Sequence, residues 1–187
     1  MPRKKPRTGA SPGRKRRRPD GRERKPTIGW REWVGLPELG IERIKAKIDT
    51  GARTAALHAW HIERFDREGE AWVRFEVHPV QRDNRTRIQC EAKLDGTKAV
   101  RNSGGQLEKR YVFVTDVRLG AQTWPIEVTL TNRDQMGFRM LLGRASVRGH
   151  FVVDPSTSFR AQRKKKTIAK HPRSRRLPDT HHREHRT

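Results

Sequence analysis

Ile44-Lys45-Ala46-Lys47-Ile48-Asp49-Thr50-Gly51-Ala52 decides how the chain is read. Ile44, Ala46 and Ile48 alternate with Lys45 and Lys47, the period of two that marks a half-buried strand. The strand runs into Asp49, and Gly51 permits a tight turn that most side chains obstruct. A carboxylate held by a short turn at a strand end stands where a catalytic base is useful. A second element lies far downstream, Met140-Leu141-Leu142-Gly143-Arg144.

Working outward, Val34 to Leu36, the turn at Pro37-Glu38-Leu39-Gly40, and Ile41 to Ile48 form a hairpin that delivers Asp49. Thr54 to Trp60 follows as a compact apolar piece. Period-two alternation recurs through Ala71, Val73, Phe75 and Val77, then through Ile88, Cys90 and Ala92. It returns at Tyr111, Phe113, Thr115 and Val117, and again at Trp124, Ile126, Val128 and Leu130. Short strands separated by turn signals predict an all-β barrel or sandwich. One short helix is expected over Gly143 to Val147, and a last strand at Phe151-Val152-Val153.

The 187 residues suffice for one ordinary domain with flanks, and the formal charge of +23 is concentrated in those flanks. Residues 1–27 hold twelve Lys/Arg against two acids, and residues 160–187 hold eleven against two. Residues 28–159, the expected domain, keep only +4. Segments of this composition bury too little apolar surface to offset ordering entropy, so both tails are expected to be disordered. Non-specific contact with nucleic acid or another polyanion is their expected chemistry, alongside a purely solubilising role. The single cysteine, Cys90, excludes an internal disulfide and a multi-cysteine zinc knuckle. No apolar run approaches membrane-spanning length, and no apolar segment follows the basic N-terminus. A cytoplasmic protein without a membrane partner is expected.

Hydrophobic-Asp-Thr-Gly-Ala followed by a distant apolar-apolar-Gly-Arg resembles the paired motifs of retropepsin-type aspartic proteases. Three further stretches extend the likeness: Gly29-Trp30-Arg31-Glu32-Trp33-Val34, Lys45 to Ala59, and Leu130-Thr131-Asn132-Arg133-Asp134-Gln135-Met136. Together they resemble a bacterial family labelled both "ATP-dependent zinc protease" and "retropepsin-like aspartic endopeptidase", some of whose members accompany ATP-grasp glutamate ligases. The resemblance covers about residues 28–159. It implies a closed β-barrel in which the two motifs cross beneath the active site, with Leu142, Gly143 and Arg144 as structural support.

Peptide hydrolysis by carboxylates needs two of them sharing one proton, one acting on a water while the other polarises the carbonyl oxygen. The chain holds one Asp-Thr-Gly, so the second carboxylate comes from a second copy across a two-fold axis. The implied catalytic set is Asp49, Thr50 and Gly51, with Thr50 hydrogen-bonding across the dimer and Gly51 contacting substrate. Ala52 lies in the substrate groove. Asn102-Ser103-Gly104-Gly105 is the candidate tip of a flap that closes over the cleft. The substrate is a polypeptide, and the glutamate-ligase association makes acidic tails its expected chemistry. No cofactor is required. Two departures from the viral enzymes are visible: the separation of Asp49 and Gly143 is longer, implying an insertion, and Arg53 stands where an acid usually pairs with the arginine at position 144.

Two alternatives use the same residues. His58 and His61, three apart, would share a helical face and join Asp49 or His78 around zinc. Or the domain is non-catalytic, dimerising or binding peptide while the tails anchor it, with Asp49 a turn-holding aspartate. The histidine-rich end, His181, His182 and His185, is read as no site.

Overall fold

The hairpin that ends at Asp49 forms because its alternation is real: Ile41, Ile44, Ala46 and Ile48 are buried while Glu42, Arg43 and Lys47 are exposed. In a computed structural model, residues 24–81, 83, 85–101, 105–132 and 137–162 are described. Most of both expected disordered tails, and Asn102, Ser103 and Gly104 of the expected flap tip, lie outside the described residues.

The strands are β1 Thr27–Gly29, β2 Arg31–Leu36, β3 Ile41–Asp49, β4 Ala55–His58, β5 Trp60–Arg67, β6 Glu70–Val77 and β7 Ile88–Lys93. They continue with β8 Gly96–Arg101, β9 Leu107–Leu119, β10 Gln122–Thr131, β11 Met140–Gly143 and β12 Val152–Asp154. A one-turn helix, α1 Arg144–Val147, follows β11, and the β2–β3 turn is a 3-10 helix over Pro37–Leu39. Gly40 closes that turn at φ 68°, donating its N–H to the Pro37 carbonyl at 3.1 Å.

The fold is all-β, in three sheets. Seven strands run in the order β10-β4-β11-β3-β2-β9-β8, and an additional β9–β10 pairing closes six of them into a ring. The ring is what the chain has of a barrel; β5-β6-β7 form a separate sheet, and β1 pairs with β12. The β5–β7 sheet lies between Asp49 and Gly143 in sequence and occupies much of their long separation. β9 serves several pairings because it is long: Leu107 to Val112 pair with β8, and Val112 to Leu119 with β10.

The threading that matters for the site involves three strands. β3 and β4 are consecutive in the chain, yet β11 lies between them, parallel to β3 and antiparallel to β4. The connection over residues 50–54 must therefore straddle the end of β11, where Leu142 pairs with Ile48 and Gly143 with Asp49.

One hydrophobic core joins the sheets, with Val73, Phe75, Cys90 and Ala92 of the smaller sheet packed among Ile44, Leu57, Phe113 and Leu142. Phe75 and Phe113 are fully buried with centroids 5.6 Å apart, and truncating either to alanine costs about 3–5 kcal/mol. The Cys90 thiol is pushed up to about 12 by burial, which leaves it an apolar packing group at neutral pH.

Attachments to β2 continue past the last strand. Phe159 stacks on Trp33 at 5.7 Å, and Gln162 donates to the Trp33 carbonyl at 2.6 Å. The fully buried Glu32 carboxylate accepts the Gly29 and Arg160 N–H groups, each at 2.7 Å, and the Ala161 N–H at 3.3 Å. A buried carboxylate demands such donors. Among the described residues no helix is long and apolar enough to cross a membrane.

Candidate active site

Asp49 ends β3, and its carboxylate shapes the turn that follows. Oδ1 accepts the N–H groups of Gly51 and Ala52, each at 3.1 Å. Oδ2 accepts no hydrogen bond from the described residues. The turn-holding role expected of a lone aspartate is thus present, and it leaves one carboxylate oxygen for other chemistry. Thr50 is exposed and makes no hydrogen bond within the described residues.

The second motif is bound to the first through backbone. Arg144 N–H donates to the Ala52 carbonyl at 2.8 Å, and Ala145 N–H to the Arg53 carbonyl at 3.0 Å. A Cβ built on Gly143 would stand 2.4 Å from the Thr54 carbonyl oxygen. Only glycine lets β11 pass this closely under the straddling turn. Arg144, which lacks an acid after the motif, directs Nη1 at the Gly51 carbonyl at 3.4 Å. The neighbouring Leu142 is fully buried in the core.

A cavity of about 840 Å³ opens around Asp49, Gly51 and Ala52, within the range of ligand sites. Thr54, Ala56, Thr129 and Leu141 line it from the ring, and Trp30, Gly137 and Phe138 add further lining. The Trp30 and Phe138 rings meet edge-on at 5.7 Å. Lys98, Ala99, Val100, Arg101 and Arg110 line it from the paired strands β8 and β9, between which the expected flap tip falls in sequence. Of that tip the described residue is Gly105, exposed, at φ 82°, accepting from Arg101 Nη1 at 3.1 Å.

Charge is distributed unequally around the cavity. Among the described residues Asp49 is the one acid in the lining, against Lys47, Arg53, Lys98, Arg101 and Arg110. The basic residues come from four separate segments, so no sequence motif announced them. Lys47 was visible only as the polar phase of β3, and Lys98 and Arg101 lie on a strand without alternation.

The histidines do not form the helical pair expected of a zinc site. His58 lies on β4 and His61 on β5, where His61 is exposed at φ 50° and His58 is fully buried. The compact apolar piece expected over Thr54 to Trp60 contains a fully buried strand, Ala55–His58, so the spacing of three does not put the two histidines on one helical face. His58 Nδ1 is 3.2 Å from the Thr131 carbonyl, to which it donates when that nitrogen carries the proton. Trp60 lies between two imidazoles, 4.0 Å from His58 and stacked 3.9 Å from His78. His78 pairs through Nε2 with Glu76 at 2.7 Å. Among the described residues no three His, Cys, Asp or Glu side chains are grouped to hold a metal ion.

The His78 hydrogen bond holds the Glu76 carboxyl below its ordinary value near 4.5, with the Arg87 charge assisting against the opposing effect of burial. A carboxyl lowered in the folded state adds stability above its unfolded value, and that contribution is lost as pH falls through the folded one. Glu76→Gln should therefore lower stability at neutral pH and flatten the acid limb of the stability curve below about pH 4.5. Urea denaturation across pH checks this; an unchanged acid limb would contradict it.

With this geometry in view, the chain matches known proteins over the same region. Residues 27–164 match a family model described as "RimB-like: Retropepsin-like aspartic endopeptidase RimB". A "Probable alpha-L-glutamate ligase" of Shewanella halifaxensis is 48% identical over 132 residues, 71% of this chain and 29% of the relative. One of Desulfotalea psychrophila is 47% identical over 132 residues, 71% of this chain and 28% of its own length. The chain thus spans under a third of the length of these relatives. The crystal structure of Lpg0085, a protein of unknown function from Legionella pneumophila, matches at a TM-score of 0.62 and 29% identity, covering 73% of this chain and 98% of that one. The Asp-Thr-Gly-Ala turn crossed by Leu-Leu-Gly-Arg and the match over residues 27–164 agree: this chain belongs to the RimB-like family of retropepsin-like aspartic endopeptidases.

Proposed function

We propose that the protein is an aspartic endopeptidase whose catalytic dyad is completed by a second copy of the chain. The observation that carries this reading is that Asp49 is the one carboxylate among the described residues lining the cavity, while carboxylate-driven hydrolysis needs two. Asp49 and the partner subunit's Asp49, about 3 Å apart, share a proton and hold the attacking water between them. One carboxylate takes the water's proton as the other donates to the substrate carbonyl oxygen. The Oδ1 bonds from Gly51 and Ala52 fix the plane of the Asp49 carboxylate, so the group need not be ordered during reaction. Thr50, which makes no hydrogen bond within the described residues, is available to hydrogen-bond across the dimer.

The paired strands β8 and β9 carry the flap that closes on bound peptide and excludes water. The preferred peptide is acidic. Among the described residues, five cations and a single carboxylate in the lining favour a negatively charged chain. The relatives named as glutamate ligases give a second reason, since joining glutamates produces acidic chains for a peptidase to shorten. Purified protein should cleave an acidic peptide with a bell-shaped pH profile reporting the macroscopic constants of the pair, and chelators should leave the rate unchanged. A rate abolished by chelator and restored by zinc would overturn the mechanism.

The basic tails hold the cytoplasmic enzyme near nucleic acid or another polyanion. Removing residues 1–23 and 163–187 should abolish that binding, which in the full chain should fall steeply from 50 to about 200 mM salt. Those end points leave the Glu32 clamp on Arg160 and Ala161 intact. Binding retained by the shortened protein, in a filter or gel assay, would place the polyanion contact in the domain itself.

A further inference from the structure

Arg110 differs from the other cations around Asp49. Lys47, Arg53, Lys98 and Arg101 are exposed, whereas Arg110 is only 7% exposed although it lines the same cavity. It sits on β9 directly across from Lys98 of β8, within the hairpin that covers the site. A guanidinium withdrawn from water needs acceptors in fixed places, because it cannot shed its charge. Its acceptor is Glu108, two residues earlier on the same strand: Nε and Nη2 both donate to Oε2, at 3.0 and 2.7 Å. That contact takes one edge of the planar group. Nη1 makes no hydrogen bond with the described residues, so donors remain on a side chain that borders the cavity.

The arrangement is a pre-aimed fork. Burial and the Glu108 contact remove the rotamer freedom that an exposed lysine or arginine would have to give up on binding. We infer that Arg110 is the specificity-determining residue of the cavity, gripping a carboxylate side chain of the substrate, and that Glu108 is the positioning residue that orients it. Lys47, Arg53, Lys98 and Arg101 supply a general positive field, which attracts any anion. Arg110 supplies the geometry that separates a carboxylate from its isosteric amide. The inference rests on the acidic-peptide reading of the Asp49 cavity and assigns its selectivity to one residue.

The test uses the full chain carrying Asp49→Asn, so that nothing depends on turnover. Binding of a fluorescently labelled, C-terminally amidated hexaglutamate is compared with that of the matching hexaglutamine at 0.15 M salt. Amidation leaves only side-chain carboxylates on the probe, and the tails contribute equally in every variant. Adding Arg110→Gln should weaken hexaglutamate binding about ten- to a hundredfold and leave hexaglutamine within about twofold. Arg110→Lys, which keeps charge and most volume but loses the fork, should lose more than about fivefold, and it decides the matter if the glutamine variant does not fold. A glutamate preference left undiminished by both substitutions would overturn the assignment to Arg110, since the tails and the other four cations add the same preference to every variant. Equal binding of the two peptides by the parent protein would overturn the acidic reading beneath it, and the assignment with it. Preference without cleavage by the unmutated enzyme would remove the endopeptidase reading alone.

Discussion

Asp49→Asn should reduce peptide cleavage by at least about a thousandfold while the protein keeps its fold. Asparagine retains the oxygen that accepts the Gly51 and Ala52 N–H groups, so the turn survives and stability should change by less than about 1 kcal/mol. Dimerisation should strengthen if it changes at all, because two facing carboxylates no longer compete for one proton. The decisive feature is dominance. A dimer with one Asp49 and one asparagine cannot divide the acid and base roles, so mixed dimers should be inactive. Mixing and re-equilibrating equal amounts of the two proteins should leave about a quarter of the original activity per total dimer, against about half if each chain had its own site. Activity proportional to the wild-type fraction would reject the shared dyad whatever Asp49 does.

The second large effect is structural. Gly143→Ala places a methyl 2.4 Å from the Thr54 carbonyl oxygen, 2.6 Å from its carbon and 2.7 Å from the Arg53 carbonyl carbon. Those atoms are backbone and cannot swing aside as a side-chain end would. They are also tied down, since Ala145 N–H bonds the Arg53 carbonyl at 3.0 Å and Arg144 N–H the Ala52 carbonyl at 2.8 Å. Relief requires either moving β11 out of its slot between β3 and β4 or lifting the turn that carries Asp49. The expected cost is about 4 kcal/mol or more, a large part of a small domain's stability. Gly137→Ala, whose Cβ meets nothing within 4 Å, is the matched control and should change stability by less than about 1 kcal/mol. Thermal denaturation of the two variants measures the difference; equal melting temperatures would show that the crossing is not as tight as described.

What the sequence disclosed follows from where water is. β3, β6, β7, β9 and β10 have one wet and one dry face, and their alternation marked them. β8 is exposed at nearly every position and, among the described residues, pairs only with β9, so no apolar period betrayed it. β5 was missed for the same reason: it is an edge strand with no fully buried residue. The slot occupied by β11 joins residues almost a hundred positions apart, and nothing local to Ile48 or Leu142 encodes that pairing. At the site, the Asp-Thr-Gly-Ala turn and the Leu-Leu-Gly-Arg crossing were legible because each is a contiguous motif with a backbone requirement. The basic lining was not, because Lys47, Arg53, Lys98, Arg101 and Arg110 converge only through the fold. The helical face expected for His58 and His61 fails because a spacing of three groups side chains only on a helix, and here the two lie on successive strands, β4 and β5.

Two chains make one site in this mechanism, and a crystal structure of the protein with a non-hydrolysable acidic peptide tests that most directly. The shared dyad predicts a two-fold dimer with Asp49 and the partner's Asp49 about 3 Å apart beneath the peptide. A peptide bound to a single chain, or a dimer whose two Asp49 carboxylates lie far apart on separate faces, would contradict it.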